Sequence, residues 1–203
     1  MSEKPKRHLD PELARTRRAQ VINAASDCFR RKGYHGAGMA EISKTAGMSA
    51  GHIYNYFDSK EAIIEAIVER DKEEMFSVFN GFLEQQGDLL NIMLDGAEAG
   101  VEKHLDVERA ALELEMLSEA ARNAKVATLL QQGDAAARAL MKQLMQSERS
   151  QIRHLPEHEL EGRIAVMFAM ITGLMLRRVL HPALEKNTVQ QALKPLIKTL
   201  LTP

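Results

Sequence analysis

Apolar residues recur every three or four positions along most of the chain, which is the spacing of one face of an α-helix. The first such stretch follows Pro11, a residue suited to the first turn of a helix, and it is expected to end at Gly33. No stretch of any length alternates between apolar and polar residues in the manner of a β-strand. The sequence therefore predicts an all-α protein.

The same spacing predicts six longer helices after residue 58. Their expected bounds are about 60–83, 88–104, 106–121, 124–147, a helix from near Pro156 to just before Pro182, and a last helix ending near Leu200. A capping box at 188–191 is expected to begin this last helix, and Pro195 is expected to kink it.

Residues 39–57 predict two short helices around a tight turn. The first is expected at Met39–Ala46, and Gly47 follows where a left-handed backbone conformation ends a helix. Ser49 suits the N-cap of a second helix expected over 50–57. That helix places Ile53 and Phe57 on one face and small or hydrogen-bonding residues on the other, a pattern that fits a DNA major groove.

Residues 33–63 resemble the DNA-binding domain of the TetR family of transcriptional regulators. The matching residues are Gly33-Tyr34, Ile42, Ala46-Gly47-Met48-Ser49, Gly51, Ile53-Tyr54, Tyr56-Phe57 and Ser59-Lys60-Glu61. The alternative is a helical corner inside some other all-α protein. One departure is Gly38, which stands where the family usually has Ser or Thr, so a phosphate contact there would fall to backbone N–H groups.

The resemblance implies an N-terminal three-helix DNA-binding domain with a helix-turn-helix, followed by a C-terminal helical bundle for ligand binding and dimerisation. The expected domains are 1–60, including a disordered arm at 1–10, and 61–203. The implied function is a ligand-released repressor that binds a palindromic double-stranded DNA operator as a homodimer in the cytoplasm. The alternatives are a helical adaptor that has lost DNA binding and a small-molecule-processing enzyme.

Candidate DNA contacts fall into two groups. Base edges are assigned to Ala50, Gly51, His52 and Asn55, because the first two permit close approach and the others both donate and accept hydrogen bonds. Phosphate contacts are assigned to Arg15, Lys44, Ser49, Tyr54, Tyr56 and Lys60. The resemblance to the family motif implies the roles of Tyr54, Tyr56 and Lys60.

Charge is distributed unevenly along the 203 residues, whose net charge is −1. Residues 1–60 carry 11 Lys and Arg against 6 Asp and Glu, whereas residues 61–203 carry 16 against 22. A basic N-terminal part on an acidic body is the asymmetry expected of a DNA-binding head and a regulatory domain.

The body is expected to bind a small lipophilic effector, because it is rich in methionine, whose flexible side chain suits permissive pockets. The candidate pocket residues are Phe79, Phe82, Met93, Glu113, Met116 and Met141. A half-buried Glu113 would favour a cationic effector, whereas Glu119 is expected on a polar face. Ordinary core packing of the methionines and a solvated Glu113 are the alternatives.

A dimer seam is predicted on the helix that follows Pro156. Its segment 164–176 is apolar on all sides, and a lone body of this size rarely buries such a helix completely. The predicted interface residues are Gly162, Ala165, Ala169, Gly173, Leu193 and Leu196. The family resemblance implies that the last two helices of each subunit form this interface, and packing within one chain is the alternative.

Catalytic chemistry is not predicted. No paired acid and base, nucleophile elbow or phosphate-binding glycine loop stands out, so we expect no catalytic residue, no metal and no cofactor. His154 and His158 are more consistent with a solvated helix entry than with a metal site, and Cys28 with core packing than with a redox switch. The longest apolar run has 13 residues, which is too short to span a bilayer, and no membrane partner is expected.

Overall fold

The computed structural model of the protein describes residues 11–203, and the arm expected at 1–10 lies outside this range. The described residues are helical without strands, which confirms the all-α prediction. The helices are α1 (Pro11–Gly36), α2 (Met39–Thr45), α3 (Ala50–Ile53), α4 (Lys60–Glu84), α5 (Leu89–His104), α6 (Val107–Ala120), α7 (Ala124–Met145), α8 (Glu157–Leu180) and α9 (Lys186–Leu201).

Side-chain caps fix the start of three helices of the body. Asp88, Asp106 and Asn123 each accept a hydrogen bond from a backbone N–H in the first turn of α5, α6 and α7. The expected capping box at 188–191 is wrong, because α9 already begins at Lys186, after Glu185, without a side-chain cap. Pro195 lies inside α9, which continues to Leu201.

Helix α3 is shorter than the sequence predicts, since it ends at Ile53 and not at Phe57. The backbone N–H groups of Asn55 and Tyr56 donate to the carbonyls three residues earlier, at 3.2 and 2.8 Å. Bonds of this kind tighten the chain into a turn, so the α-helical form is lost after a single turn. Phe57 nevertheless reaches the buried position that the prediction gave it.

The chain divides into two compact units, one ending at Glu69 and the other beginning at Arg70. The sequence placed this boundary after residue 60, at the start of α4. The difference arises because Ile63, Ile64 and Ile67, in the first turns of α4, are almost completely buried and belong to the first unit. The first unit also buries Cys28, whose exposed fraction is 0%.

The second unit is built on a large apolar cluster of α4, α5, α7, α8 and α9 side chains. Helices α5 and α9 pack closely on one another, as do α6 and α7. Leu144 and Met145 are completely buried, and Leu160 and Ile164 bring one side of α8 into the same cluster. None of the helices in residues 11–203 is both long enough and apolar enough to cross a membrane.

Two glycines of the helix-turn-helix corner test the backbone conformation described here. A Cβ added at either glycine would meet no neighbouring atom within 4 Å, so a substitution by alanine reports on the backbone and not on a clash. Gly47 has φ +64°, so Gly47→Ala should lower the free energy of unfolding by roughly 1–2 kcal/mol, the cost of a left-handed residue. Gly51 lies in α3 without a positive φ, so Gly51→Ala should raise it by about 0.5–1 kcal/mol.

Urea unfolding followed by tyrosine fluorescence measures both effects. The three tyrosines are Tyr34, Tyr54 and Tyr56, so this signal reports on the first unit alone. Equal shifts of the same sign for the two substitutions would contradict the backbone assignment of Gly47.

Candidate nucleic-acid interface

Helices α2 and α3 form the predicted corner around Gly47. Ser49 is the N-cap of α3, and its side chain accepts a hydrogen bond from the backbone N–H of His52 at 3.2 Å. Ile42, Ile53 and Phe57 are buried, which fixes the inner side of both helices against the rest of the first unit. The opposite side of α3 is therefore held toward solvent.

The predicted base-reading residues lie on this outer side. Ala50, Gly51 and Asn55 are exposed, and His52 is half-buried. Nothing lies within 4 Å of the position that a Gly51 Cβ would occupy, so the surface there is open. The corner thus presents two small residues and two hydrogen-bonding side chains together.

His52 and Tyr56 form a pair one helical turn apart. The Tyr56 hydroxyl and His52 Nε2 are 3.3 Å apart, and the centres of the two rings are 5.4 Å apart. Within the part of the chain that the structure describes, no hydrogen bond engages Nδ1 of His52. Tyr54 lies between them in the chain and is 50% exposed.

Helix α1 donates hydrogen bonds to the end of α2 and to the turn that follows α3. These contacts were not predicted from the sequence. Arg18 donates from Nη1 to the carbonyl of Tyr56 at 2.8 Å, and its guanidinium lies 4.3 Å from the centre of the Phe57 ring. Gln20 donates to the carbonyl of Ala46, the C-cap of α2, at 2.6 Å. The sequence signal was weak, because a polar residue beside the buried Val21 looks like ordinary solvated surface.

Lys60 makes contacts inside the first unit that its predicted phosphate role did not include. Its ammonium donates to the carbonyls of Tyr34 and Ala37, at 2.5 and 3.1 Å, and lies 4.1 Å from the centre of the Tyr34 ring. The Tyr34 hydroxyl donates to Glu61, and this hydrogen bond lowers the pKa of the Glu61 carboxyl. Lys60 therefore satisfies carbonyls at the end of α1, and its phosphate contact stays a prediction.

The other predicted phosphate ligands differ in their exposure and in the partners that they already have. Lys44 and Ser49 are exposed. Arg15 is exposed as well but pairs with Glu12 at 2.7 Å. Gly38 is the N-cap of α2 and offers no side chain to the first amides of that helix.

Only some of the candidate effector residues lie close together in the second unit. Phe79 and Met141 are buried in its apolar cluster, and Phe82 and Met93 pack against the same cluster. The rings of Phe79 and Phe82 meet edge to face, with their centres 6.3 Å apart. Met116 is buried on α6 but is outside this cluster.

The exposure of two glutamates of α6 is the reverse of the prediction. Glu113 is exposed as a residue, although the protein atoms around its carboxyl raise its pKa by desolvation while Arg109 opposes the shift. Glu119 is 2% exposed and accepts hydrogen bonds from Asn123 and Arg122 at 3.0 and 3.3 Å. The expectation of a polar face failed because Glu119 follows the buried Leu112 and Met116 at helical spacing.

Helix α8 leaves one apolar side uncovered. Val166, Leu176 and Leu180 are 50%, 40% and 73% exposed, and together with three small residues they form the series 162, 166, 169, 173, 176 and 180. Of the predicted interface residues, Gly162, Ala165, Ala169 and Leu196 are exposed, Gly173 is half-buried, and Leu193 packs on the apolar cluster. A Cβ added to Gly162 or Gly173 would meet nothing within 4 Å.

Comparisons with known proteins point to one family. Residues 21–67 match the sequence model for bacterial regulatory proteins of the tetR family. The HTH-type transcriptional regulator UidR of Escherichia coli strain K12 is 32% identical over 117 residues, which is 58% of this chain and 58% of that protein.

Solved structures resemble nearly the whole chain. GusR of Salmonella enterica has a TM-score of 0.74 and 26% identity, with 95% of this chain and 98% of that chain covered. FadR of Bacillus subtilis, solved in complex with stearoyl-CoA, has a TM-score of 0.69 and 18% identity over 88% of this chain and 96% of that chain. The helix-turn-helix corner, the helical body and these similarities agree, and residues 21–67 of the chain carry the DNA-binding domain of the tetR family of bacterial regulatory proteins.

Proposed function

We propose that the protein is a homodimeric transcriptional repressor that binds a palindromic operator and is released from it by a small lipophilic effector. The observation that carries this proposal is the solvent-facing side of α3 and of the turn that follows it, which carries Ala50, Gly51, His52 and Asn55. A protein of this kind acts in the bacterial cytoplasm, where the chromosome is. Repression needs no catalysis, and the absence of enzymatic activity stays a prediction.

DNA binding is supported by the shape and chemistry of α3. Its N-terminal turn is small enough to approach base edges closely, and Asn and His side chains suit the donor and acceptor pattern of the major groove. Exposed Lys44 and Tyr54 flank this turn and supply groups for phosphate oxygens. Phosphate contacts of this kind orient a protein on the duplex, while the base contacts select the sequence.

Dimer formation is supported by the uncovered side of α8. The series 162, 166, 169, 173, 176 and 180, exposed except for the half-buried Gly173, advances by four and three residues alternately, which is the spacing of a seam along which two helices pack. The open space at Gly162 and Gly173 means that no neighbour within the described chain requires a glycine there. A second copy of α8, with Leu196 of α9 beside it, would cover this side and supply the two-fold symmetry that a palindrome requires.

Effector binding is supported by the cluster around Phe79, Phe82, Met93 and Met141. These side chains are aromatic or flexible and offer no polar atom beyond thioether sulfur, so they suit an apolar ligand. FadR of Bacillus subtilis has the same fold and was solved with stearoyl-CoA, a ligand with a long apolar chain. In this proposal Glu113 of α6 is the group that selects a cationic ligand.

Lysine substitutions test the DNA contacts. Lys44→Ala should reduce the slope of log affinity against log salt concentration by about 0.9, as expected for one lost phosphate contact. Lys60→Ala should do the same and should also lower the free energy of unfolding of the first unit by about 1 kcal/mol, because two carbonyls lose their donor.

Affinities for random-sequence duplexes at several salt concentrations, together with urea unfolding, separate the two roles of Lys60. An unchanged salt slope with reduced stability would show that Lys60 is structural only. A salt slope of zero for the unsubstituted protein would contradict DNA binding itself.

A charge on α8 tests the dimer. Ala169→Arg should bury a guanidinium against or near its symmetry mate and weaken the dimer by several kcal/mol. Sedimentation at micromolar concentration should then show monomers. The matched control is Ala139→Arg, which places the same side chain at an exposed position of α7 and should leave the dimer intact. Dimers in both variants would place the interface elsewhere.

Neutral and cationic probes test the effector site. We expect a long-chain alcohol to raise the unfolding temperature and to weaken DNA binding, with a coupling of about 1–3 kcal/mol. The amine of equal chain length should bind more tightly than the alcohol if Glu113 faces the ligand. In that case Glu113→Gln should remove the preference and Glu115→Gln should retain it. No thermal shift with either probe would contradict the lipophilic site.

A further inference from the structure

The direction of the hydrogen bond between His52 and Tyr56 determines which base His52 can contact in DNA. This inference rests on the proposed function. A neutral imidazole has one nitrogen that donates a hydrogen bond and one that accepts. Nε2 is engaged by the Tyr56 hydroxyl at 3.3 Å, so Nδ1 is the atom left to meet a base. The character of Nδ1 therefore depends on which member of the pair donates to the other.

Both members are held in place from the backbone. The N–H of His52 is bonded to the side chain and the carbonyl of Ser49, at 3.2 and 2.9 Å. The carbonyl of Tyr56 accepts from Arg18 at 2.8 Å, and its N–H donates to Ile53 at 2.8 Å. The two rings thus stand on one side of α3 at a fixed separation, and their contact survives without help from a ligand.

DNA decides the direction of the hydrogen bond, because phosphate oxygens accept hydrogen bonds and never donate them. If Tyr56 makes the phosphate contact assigned to it above, its hydroxyl must therefore give its proton to the phosphate. Its oxygen then keeps its lone pairs and accepts from Nε2–H of His52. With the proton on Nε2, the Nδ1 atom of the neutral ring is an acceptor.

We propose that Tyr56 is a positioning residue that fixes the tautomer of His52, so that His52 reads a base carrying an amino group in the major groove. Those bases are adenine, through N6, and cytosine, through N4. Guanine and thymine present acceptors at the corresponding edge and would face the acceptor Nδ1. The preference for adenine or cytosine at this position should be roughly three- to tenfold, the range of one hydrogen bond.

The test is selection of bound duplexes from a random-sequence DNA pool at about pH 8, where imidazole is neutral. The intact full-length protein should enrich adenine or cytosine at one position per half-site. His52→Ala should lose that preference and so identify the position. Tyr56→Phe should lose it as well while the other positions keep theirs, which a loss of folding would not allow.

Tyr54→Phe is the matched control, because it removes the hydroxyl of a half-exposed tyrosine that lies between His52 and Tyr56 in the same segment. It should weaken binding to all sequences alike and leave the preference unchanged. The inference is overturned if Tyr56→Phe retains the preference, if no position depends on His52, or if that position favours guanine or thymine. If the unsubstituted protein enriches no sequence, the proposed function fails instead.

Discussion

A helix of one turn cannot hold its own conformation, and this constraint governs the first unit. Four residues of α3 are too few to offset the cost of starting a helix in water. The turn is therefore fixed from outside: Ser49 caps its start, Ile53 and Phe57 anchor its inner side, and Arg18 holds the carbonyl of Tyr56 that follows it. The exposed side is available for DNA because every other side is occupied.

In the second unit, the feature that matters is an apolar surface of α8 that a single chain leaves exposed to solvent. One side of α8 closes the apolar cluster through Leu160 and Ile164, while the other exposes Val166, Leu176 and Leu180 to solvent. Apolar side chains in a continuous series on a helix indicate an interaction site when they are exposed together. The same helix thus serves the core of one chain and the proposed contact with a second.

Periodicity predicted the helices well, because the apolar spacing of α5, α6 and α7 and their Asp and Asn caps are local signals. It failed where the environment of a side chain depends on contacts with residues that are distant in the chain. The contacts of Arg18 and Gln20 could not be assigned from the sequence, because only the fold brings Tyr56 and Ala46 beside them. Glu119 looked polar and exposed, yet hydrogen bonds from Asn123 and Arg122 allow its burial. Of the candidate interface, the outer residues of α3 could be assigned from sequence, whereas the inward contacts of Lys60 could not.

Photocrosslinking from Asn55, in the turn that follows α3, tests the central claim most directly. A photoreactive side chain at exposed Asn55, in protein bound to DNA selected from a random pool, reports which atoms of the duplex the helix faces. The account predicts crosslinks to bases in the major groove, in two clusters about 34–36 Å apart along the duplex, which is one helical turn. Crosslinks confined to sugars and phosphates, or none at all on DNA that the protein binds, would contradict it.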